Sequence, residues 1–263
     1  MSYRIKKIFE KKEKKLITFI TGGDPDLDTS LEILNNIINN NIDIIEIGMP
    51  FSDPMADGPT IQLSSARAIK NSVTLYQIFE IVKFVRTKNQ NIPIILMGYY
   101  NVIFHFGVKK FVQKCKQNGV DGLIIVDLQP EEDQDLYNNL LSNNIDLIRL
   151  ISPTTNEKRL KSILTNASGF LYYVTITGIT GQHSADINQL KKSIKFIRNH
   201  TSLPIIAGFG IKNARDVKAI CKIADGAVVG SSIVRIIEEN QDDENKILDL
   251  VNKFTKKLKK AAI

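Results

Sequence analysis

The chain has 263 residues, 43% of them hydrophobic and 24% charged, and its formal net charge is +7. This length and apolar content allow a large core and suit one α/β barrel better than two small domains. The positive charge comes largely from the lysine-rich residues 6–15 and 256–260, which we interpret as solvated faces, and no basic motif with interleaved aromatic residues indicates nucleic-acid binding.

The spacing of cysteine and histidine predicts neither redox nor metal chemistry. Cys115 and Cys221 have no metal-binding or redox spacing, which indicates a reducing compartment. The three histidines are far apart in the sequence, and we predict no metal site. The start of the chain lacks an apolar signal region, and no apolar run reaches the length of a membrane span. We therefore expect a cytoplasmic protein, with the plastid stroma as the alternative for an organelle-encoded chain.

In chain order, short β-branched runs alternate with amphipathic helical patterns. The predicted strands are residues 16–20, 42–48, 92–97, 120–126, 146–150, 170–174, 203–207 and 225–229. The predicted helices are residues 31–38, 60–70, 75–88, 108–117, 131–141, 157–164, 187–198 and 214–221, and amphipathic sequence follows the last strand. Repeated strand–helix units without a linker predict a single (β/α)8 TIM barrel, one domain over residues 1–263, with a doubly wound sheet as the alternative.

The second predicted strand contains one carboxylate, Glu46. Because side chains alternate along a strand, Glu46 shares a face with Ile44 and Gly48, while Ile45 and Ile47 take the other face. A carboxylate in an apolar strand costs free energy unless it is paired, and partial burial raises its pKa. Glu46 is therefore a candidate general acid–base group. The alternative is a residue that caps the strand or pairs with a lysine.

The loop after this strand, residues 50–59, contains three prolines, one glycine and two aspartates. This composition is too stiff and too specific for a generic connection. Pro59 stands where a helix tolerates proline, because the missing N–H at that position would be unpaired in any case. We expect Asp57 to be solvated and ionised in this loop, so that two carboxylates in unlike environments divide the acid and base roles.

In a (β/α)8 barrel the chemistry lies in the loops that follow the carboxyl ends of the strands. Glu46, Asp57 and Asp127 all occupy such positions. Glycine turns follow the seventh and eighth predicted strands, as GFG at residues 208–210 and GSS at residues 230–232. Backbone N–H groups at helix starts bind phosphate in this part of many barrels, so the two turns favour a phosphate site, although glycine also occurs in such turns for steric reasons.

Residues 46–62, EIGMPFSDPMADGPTIQ, resemble the signature segment of the tryptophan synthase alpha chain family. The resemblance continues in order along the chain, in FITGGDP after the first strand, YYN after the third, VDL after the fourth, GITG in a mobile loop after the sixth and GFGI after the seventh. Two positions depart from the family pattern, Gln129 in place of a proline and Ile176 in place of an arginine found in some members. Both departures bear on loop stiffness and closure rather than on the proton chemistry.

The resemblance implies a lyase of tryptophan biosynthesis that cleaves indole-3-glycerol phosphate to indole and glyceraldehyde 3-phosphate in a retro-aldol reaction. It implies that Glu46 is the general acid–base group at the indole C3 atom and the glycerol hydroxyl, and that Asp57 accepts the indole N–H. The substrate-binding residues implied in the same way are Phe19, Tyr99, Asp127, Tyr172, Thr180, Gly181, Phe209, Gly210, Gly230 and Ser231, with Leu123 as a further wall of the indole pocket. For the aromatic residues among them, filling of the barrel core is the alternative to contact with a ligand.

The resemblance also implies a partner, the tryptophan synthase beta subunit, in an α2β2 assembly. Pyridoxal phosphate is then expected in the beta subunit, and no cofactor is expected in this chain. Residues 50–59 and the segment around Asn101 are the implied docking surface.

Three other functions stay open from the sequence. Another phosphosugar enzyme of the same pathway could share the fold and the phosphate site without the pair formed by Glu46 and Asp57. A barrel without activity could serve only to activate its partner. Nucleic-acid binding would show itself as strongly salt-dependent association.

Overall fold

The computed structural model describes residues 1–174, 187–208 and 210–262. All nine strand segments pair in parallel and follow the order β5-β4-β3-β2-β1-β9-β8-β7-β6. The strand segments are β1 Lys15–Thr21, β2 Ile44–Gly48, β3 Ile94–Gly98, β4 Gly122–Ile125, β5 Asp146–Leu147, β6 Arg149–Ile151, β7 Leu171–Val174, β8 Ile205–Gly208 and β9 Gly226–Val229.

The two ends of this strand order are two halves of a single strand. β5 pairs with β4, β6 pairs with β7, and only Ile148 separates them in the chain. The Ile148 N–H still donates to Leu123 O at 2.9 Å, so the interruption does not open the sheet. The predicted fifth strand, residues 146–150, therefore closes a ring of eight strands, and the predicted TIM barrel is confirmed.

Helices surround this ring along the described part of the chain. They are α1 Tyr3–Glu10, α2 Leu27–Asn39, α3 Pro59–Lys70, α4 Leu75–Lys88, α5 Tyr100–Phe106, α6 Val108–Asn118, α7 Gln134–Ser142, α8 Glu157–Thr165, α9 Ile187–Arg198, α10 Ala214–Cys221, α11 Ser231–Glu238 and α12 Glu244–Lys259. Several begin at side-chain caps that satisfy backbone N–H groups, such as Asn213, whose Oδ1 accepts from Asp216 N at the start of α10. Within the described residues, no helix is long and apolar enough to cross a membrane.

Two helices were not predicted. α1 overlaps the lysine-rich segment 6–15 over residues 6–10, and α5 occupies the segment expected to be a loop after the third strand. The solvated interpretation holds for Lys6 and Lys7, which are exposed, but it is wrong for Lys15, which is 1% exposed. β1 starts at Lys15, one residue before the predicted strand, so Lys15 is buried with the strand and its Nζ donates to Lys11 O at 3.0 Å.

The strands divide their side chains between two cores. The core inside the ring contains isoleucines from several strands together with Phe170 and Tyr172, and Ile5 of α1 packs against it from below. A larger core fills the space between the ring and the surrounding helices and includes Ile45 and Ile47. Every second residue of a strand thus points into the ring. A strand side chain that acts in the barrel mouth belongs to this inward-pointing set.

Candidate active site

Glu46 lies inside the ring, on the face of β2 that it shares with Ile44. Its side chain is 1% exposed, and Oε1 has no hydrogen-bond partner among the described residues. Burial raises the pKa of Glu46 to about 8, and the negative charge of Asp57 adds to this shift. A carboxyl group with this pKa can both donate and accept a proton near neutral pH.

Asp57 stands in the loop between β2 and α3, where three hydrogen bonds hold it. Its N–H donates to Pro54 O at 3.0 Å, Gln62 Nε2 donates to its carbonyl oxygen at 2.9 Å, and the Tyr99 hydroxyl donates to Oδ2 at 3.1 Å. The prediction that Asp57 is solvated is wrong, because Asp57 is half-buried and this burial raises its pKa. The hydrogen bond from Tyr99 lowers that pKa, but its effect is smaller than that of burial.

Tyr172 faces the same space from β7 and is 9% exposed. Burial, together with the charges of Glu46 and Asp57, holds the pKa of Tyr172 well above its usual value. A Cβ atom at Gly208 would stand 2.9 Å from the Tyr172 hydroxyl, so glycine there leaves room for the phenol. Three polar groups from β2, the Asp57 loop and β7 therefore lie near enough to one another for their charges to interact.

Phe19 connects this group with the opposite side of the mouth. A Cβ atom at Gly48 would lie 2.7 Å from Phe19 Cζ, and one at Gly230 would lie 3.1 Å from Phe19 Cβ. The ring of Phe19 thus lies against glycine on both neighbouring strands. Phe19 therefore lies between β2, which carries Glu46, and the predicted phosphate turn at Gly230.

The predicted phosphate turn contains Gly230, which precedes α11, and Ser231, which begins it. No side chain of the described residues caps this helix, so its first N–H groups, which follow β9, have no side-chain acceptor among those residues. The Ser232 hydroxyl donates to Ile211 O at 2.5 Å and ties the start of α11 to the loop after β8. Gly210, in that loop, has φ +56°.

Two further predicted residues make contacts that the sequence does not indicate. Tyr99 directs its hydroxyl to the Asp57 loop, and its ring lies 5.1 Å from that of Phe51. Asp127 follows β4, and its Oδ1 accepts from Tyr100 N at 2.8 Å, so this carboxylate binds the start of α5.

A narrow cavity of about 10 Å³ lies beside Asp57, with room for about one water molecule. Phe19, Asp57 and Tyr99 line it together. The other lining residues were not predicted; they are Thr21, Gly48, Met49, Ile61, Ser65, Met97, Gly98 and Val126. For two of them, Met97 and Val126, the alternation of side chains along a strand would have given the inward direction.

The expectation that Leu123 forms a wall of the indole pocket is wrong. Leu123 belongs to the core between the ring and the helices, whereas its neighbour Ile124 points into the ring. The register of β4 decides this, because a shift of one residue exchanges the two faces of a strand.

A wider cavity of about 360 Å³ lies between the ends of β4 and β6. Asp127 and Arg149 are among its lining residues, whereas Glu46 and Asp57 are not. Buried Arg149 pairs with buried Asp133 beside it. This wider cavity shares the lining residue Val126 with the narrow cavity beside Asp57, but neither Glu46 nor Asp57 lines it.

Three predicted substrate-binding residues, Thr180, Gly181 and Phe209, lie outside the described residues. The departure at Ile176 lies outside them too. Among the residues that are described, no group of three or more His, Cys, Asp and Glu side chains could hold a metal ion.

The fold and the site define a class of protein, a (β/α)8-barrel enzyme with one buried and one half-buried carboxyl group at the mouth. The family model described as tryptophan synthase alpha chain matches residues 5–263. A curated tryptophan synthase alpha chain from Petrotoga mobilis is 43% identical over 256 residues, which cover 97% of this chain and 98% of that protein. The chain belongs to the tryptophan synthase alpha chain family.

Solved structures agree with this assignment. The alpha subunit of tryptophan synthase from Legionella pneumophila has a TM-score of 0.92 and 32% identity, covering 100% of this chain and 98% of that chain. A structure from Aquifex aeolicus has a TM-score of 0.88 and 34% identity, covering 99% and 97%. The predicted family and the predicted enzyme, a lyase of tryptophan biosynthesis, are confirmed. An alpha chain also implies a beta-chain partner.

Proposed function

We propose that this chain cleaves indole-3-glycerol phosphate to indole and glyceraldehyde 3-phosphate through Glu46 and Asp57. The observation that supports these roles best is the position of Glu46, which is buried inside the ring with a pKa of about 8 and feels the charge of Asp57. The resting site therefore supplies a proton at neutral pH and can take one back.

The cleavage needs a proton at the C3 atom of the indole and the loss of a proton from the neighbouring glycerol hydroxyl. Protonated Glu46 donates to C3, which places positive charge on the ring nitrogen. Asp57 accepts the N–H hydrogen bond and stabilises that charge. Ionised Glu46 then takes the hydroxyl proton, the carbon–carbon bond breaks, its electrons return to the indole ring, and the hydroxyl carbon becomes the aldehyde.

The substrate phosphate binds at the start of α11 in this proposal. The first turn of that helix has free N–H groups and the positive end of the helix dipole, and Gly230 allows a close approach. Phe19 lies between this turn and Glu46, so an indole against Phe19 and Tyr172 would reach both ends of the site. The other proposed substrate contacts among the described residues are Gly210, Ser231 and Asp127. Thr180, Gly181 and Phe209, which lie outside the described residues, are further proposed contacts.

The partner proposal is an α2β2 assembly in which pyridoxal phosphate belongs to the beta subunit and this chain uses no cofactor of its own. The exposed apolar side chains at the mouth support the docking surface. Met55 in the Asp57 loop is 86% exposed, and Phe104 of α5 is 68% exposed. Both lie in the segments that the family resemblance implies, residues 50–59 and the neighbourhood of Asn101.

The proposal is tested by supplying indole-3-glycerol phosphate to the purified chain and measuring free indole by chromatography. We expect indole from the natural chain, and a loss of about 10²- to 10⁴-fold in turnover for Glu46→Gln, because a positioned acid–base group contributes about that much. Glu80→Gln is the matched control, since Glu80 is 68% exposed on α4 and pairs there with Lys83. A Glu46→Gln protein that folds and keeps normal turnover would contradict the proposal.

A further inference from the structure

We propose that Tyr99 is a positioning residue for the alpha reaction, whose hydroxyl holds Asp57 and leaves one carboxylate oxygen for the indole N–H. This inference rests on the proposed role of Asp57. It gives Tyr99 a different task from the aromatic pocket contact predicted from the sequence.

The direction of the hydrogen bonds at Tyr99 follows from its chemistry. The Ala56 N–H donates to the Tyr99 hydroxyl oxygen at 2.9 Å. The same hydroxyl lies 3.1 Å from Asp57 Oδ2. A phenol has one proton and a carboxylate has none to give, so the oxygen that accepts from the amide donates its own proton to Asp57. Oδ2 is thereby occupied, and Oδ1 is free of Tyr99.

Tyr99 attaches an otherwise exposed loop to a rigid strand. It follows β3 directly, is 3% exposed and precedes the first residue of α5. Its ring lies beside Phe51 at the start of the loop, while its hydroxyl meets Ala56 and Asp57 at the end of it. Between these contacts Met55 is 86% exposed. The loop thus projects outward and returns to the mouth where Tyr99 binds it.

The same hydrogen bond keeps Asp57 suited to its task. Burial raises the pKa of Asp57, and the Tyr99 hydroxyl opposes that shift because it stabilises the ionised form. The other titratable groups around the pair are Glu46 on β2, Tyr172 on β7 and Asp127 after β4. Removal of the hydroxyl leaves these groups in place and lets burial act on Asp57 alone.

The test compares Tyr99→Phe with Tyr100→Phe. Tyr99→Phe should lower kcat about 10- to 100-fold, which corresponds to one hydrogen bond to a charged group, and should change KM far less. The acidic limb of its rate profile should move to higher pH, because Asp57 then ionises at higher pH. Tyr100→Phe removes a hydroxyl from the next residue, whose ring packs against Phe104, and should behave as the natural chain. An unchanged kcat and an unmoved acidic limb in Tyr99→Phe would overturn the inference.

A readout independent of turnover separates this inference from the proposed function. Carbon-13 NMR of labelled aspartate carboxyl groups, assigned with Asp57→Asn, should show a higher pKa for Asp57 in Tyr99→Phe than in the natural chain. If the natural chain releases no indole, the proposed function fails, and the titration still tests the Tyr99 contact. If the natural chain is active and the titration of Asp57 is the same in both proteins, only the role of Tyr99 fails.

Discussion

Ionisation of Glu46 costs free energy because its carboxyl group is buried, and the raised pKa that results supports its proposed role as an acid–base group. Its neighbours inside the ring are mostly isoleucine, and Oε1 lacks a hydrogen-bond partner in the described structure. The protonated form is therefore favoured, which suits the proposed role of Glu46 as the group that first gives a proton to carbon. The second carboxyl group, on Asp57, strengthens this preference through its charge.

The same burial predicts how stability depends on pH. The pKa of Glu46 rises from an ordinary 4.5 to about 8 on folding, so the unfolded chain loses this proton at lower pH than the folded chain. Between these two values the folded state binds more protons, and the contribution of Glu46 to stability falls as pH rises, by about 1.4 kcal/mol per pH unit. Urea denaturation at about pH 5 and pH 8.5 should therefore show a weaker pH dependence for Glu46→Gln than for the natural chain.

Glu80→Gln serves as the control for this measurement and should keep the pH dependence of the natural chain. Equal losses of stability in the natural chain and Glu46→Gln between the two pH values would show that Glu46 titrates normally in the folded protein.

At the scale of residues, sequence reasoning succeeds where strand alternation decides the outcome. It placed Glu46 on one face with Ile44 and placed Ile45 on the other, and the structure shows that the first face points into the ring. It could not foresee the burial of Asp57, because the residues around Asp57, such as Tyr99 after β3, come from distant parts of the chain. The misplacement of Leu123 has a related cause, since a one-residue uncertainty in register exchanges the faces of β4.

At the scale of elements, α1 closes the lower end of the barrel. Ile5 is fully buried against the core inside the ring, and the ring of Phe9 lies 5.8 Å from that of Phe170. Ile5, Ile8 and Phe9 recur at helical spacing, so the sequence contained the signal for this helix. The helix was not predicted because the segment was interpreted from its lysines and not from the spacing of its apolar residues.

The contribution of α1 can be measured with one substitution. Ile5→Ala should lower the free energy of unfolding by about 2–5 kcal/mol, because it removes buried methylene groups and leaves a cavity. Tyr3→Ala, two residues earlier in the same helix, should change it by about 0.5 kcal/mol or less, since Tyr3 is 71% exposed. Urea denaturation at neutral pH gives both values. Equal effects of the two substitutions would mean that α1 is not part of the folding unit.

At the scale of the whole molecule, the two ends of the barrel have different surfaces. The mouth exposes Met55 and Phe104 on neighbouring segments, after β2 and after β3. Leu141, which is 59% exposed near the end of α7, lies at the opposite end, where helices lead into strands. The ring itself was predictable from alternating strand and helix patterns, and the single domain over residues 1–263 stays a prediction.

The surface at the mouth gives a prediction for the partner. Phe104→Asp should weaken association with a tryptophan synthase beta chain by about tenfold or more, because a charge replaces an exposed aromatic ring in the proposed interface. Indole release by the isolated variant should stay normal. Titration calorimetry with the purified beta chain measures the affinity. Leu141→Asp is the control and should bind as the natural chain does; equal affinities for the two variants would remove Phe104 from the interface.

The pairing of β1 with β9 also has a consequence for the synthesis of the chain. β1 needs β9 as its second neighbour, α2 packs against α12, and Lys259 Nζ donates to Asp43 at 2.5 Å. A ribosome that has not yet made residues 226–259 carries a chain whose first strand has an open edge, and open edges of parallel sheets are prone to aggregate. Residues 226–259 therefore complete the surroundings of the first strand, which lacks its second neighbour until they have been made.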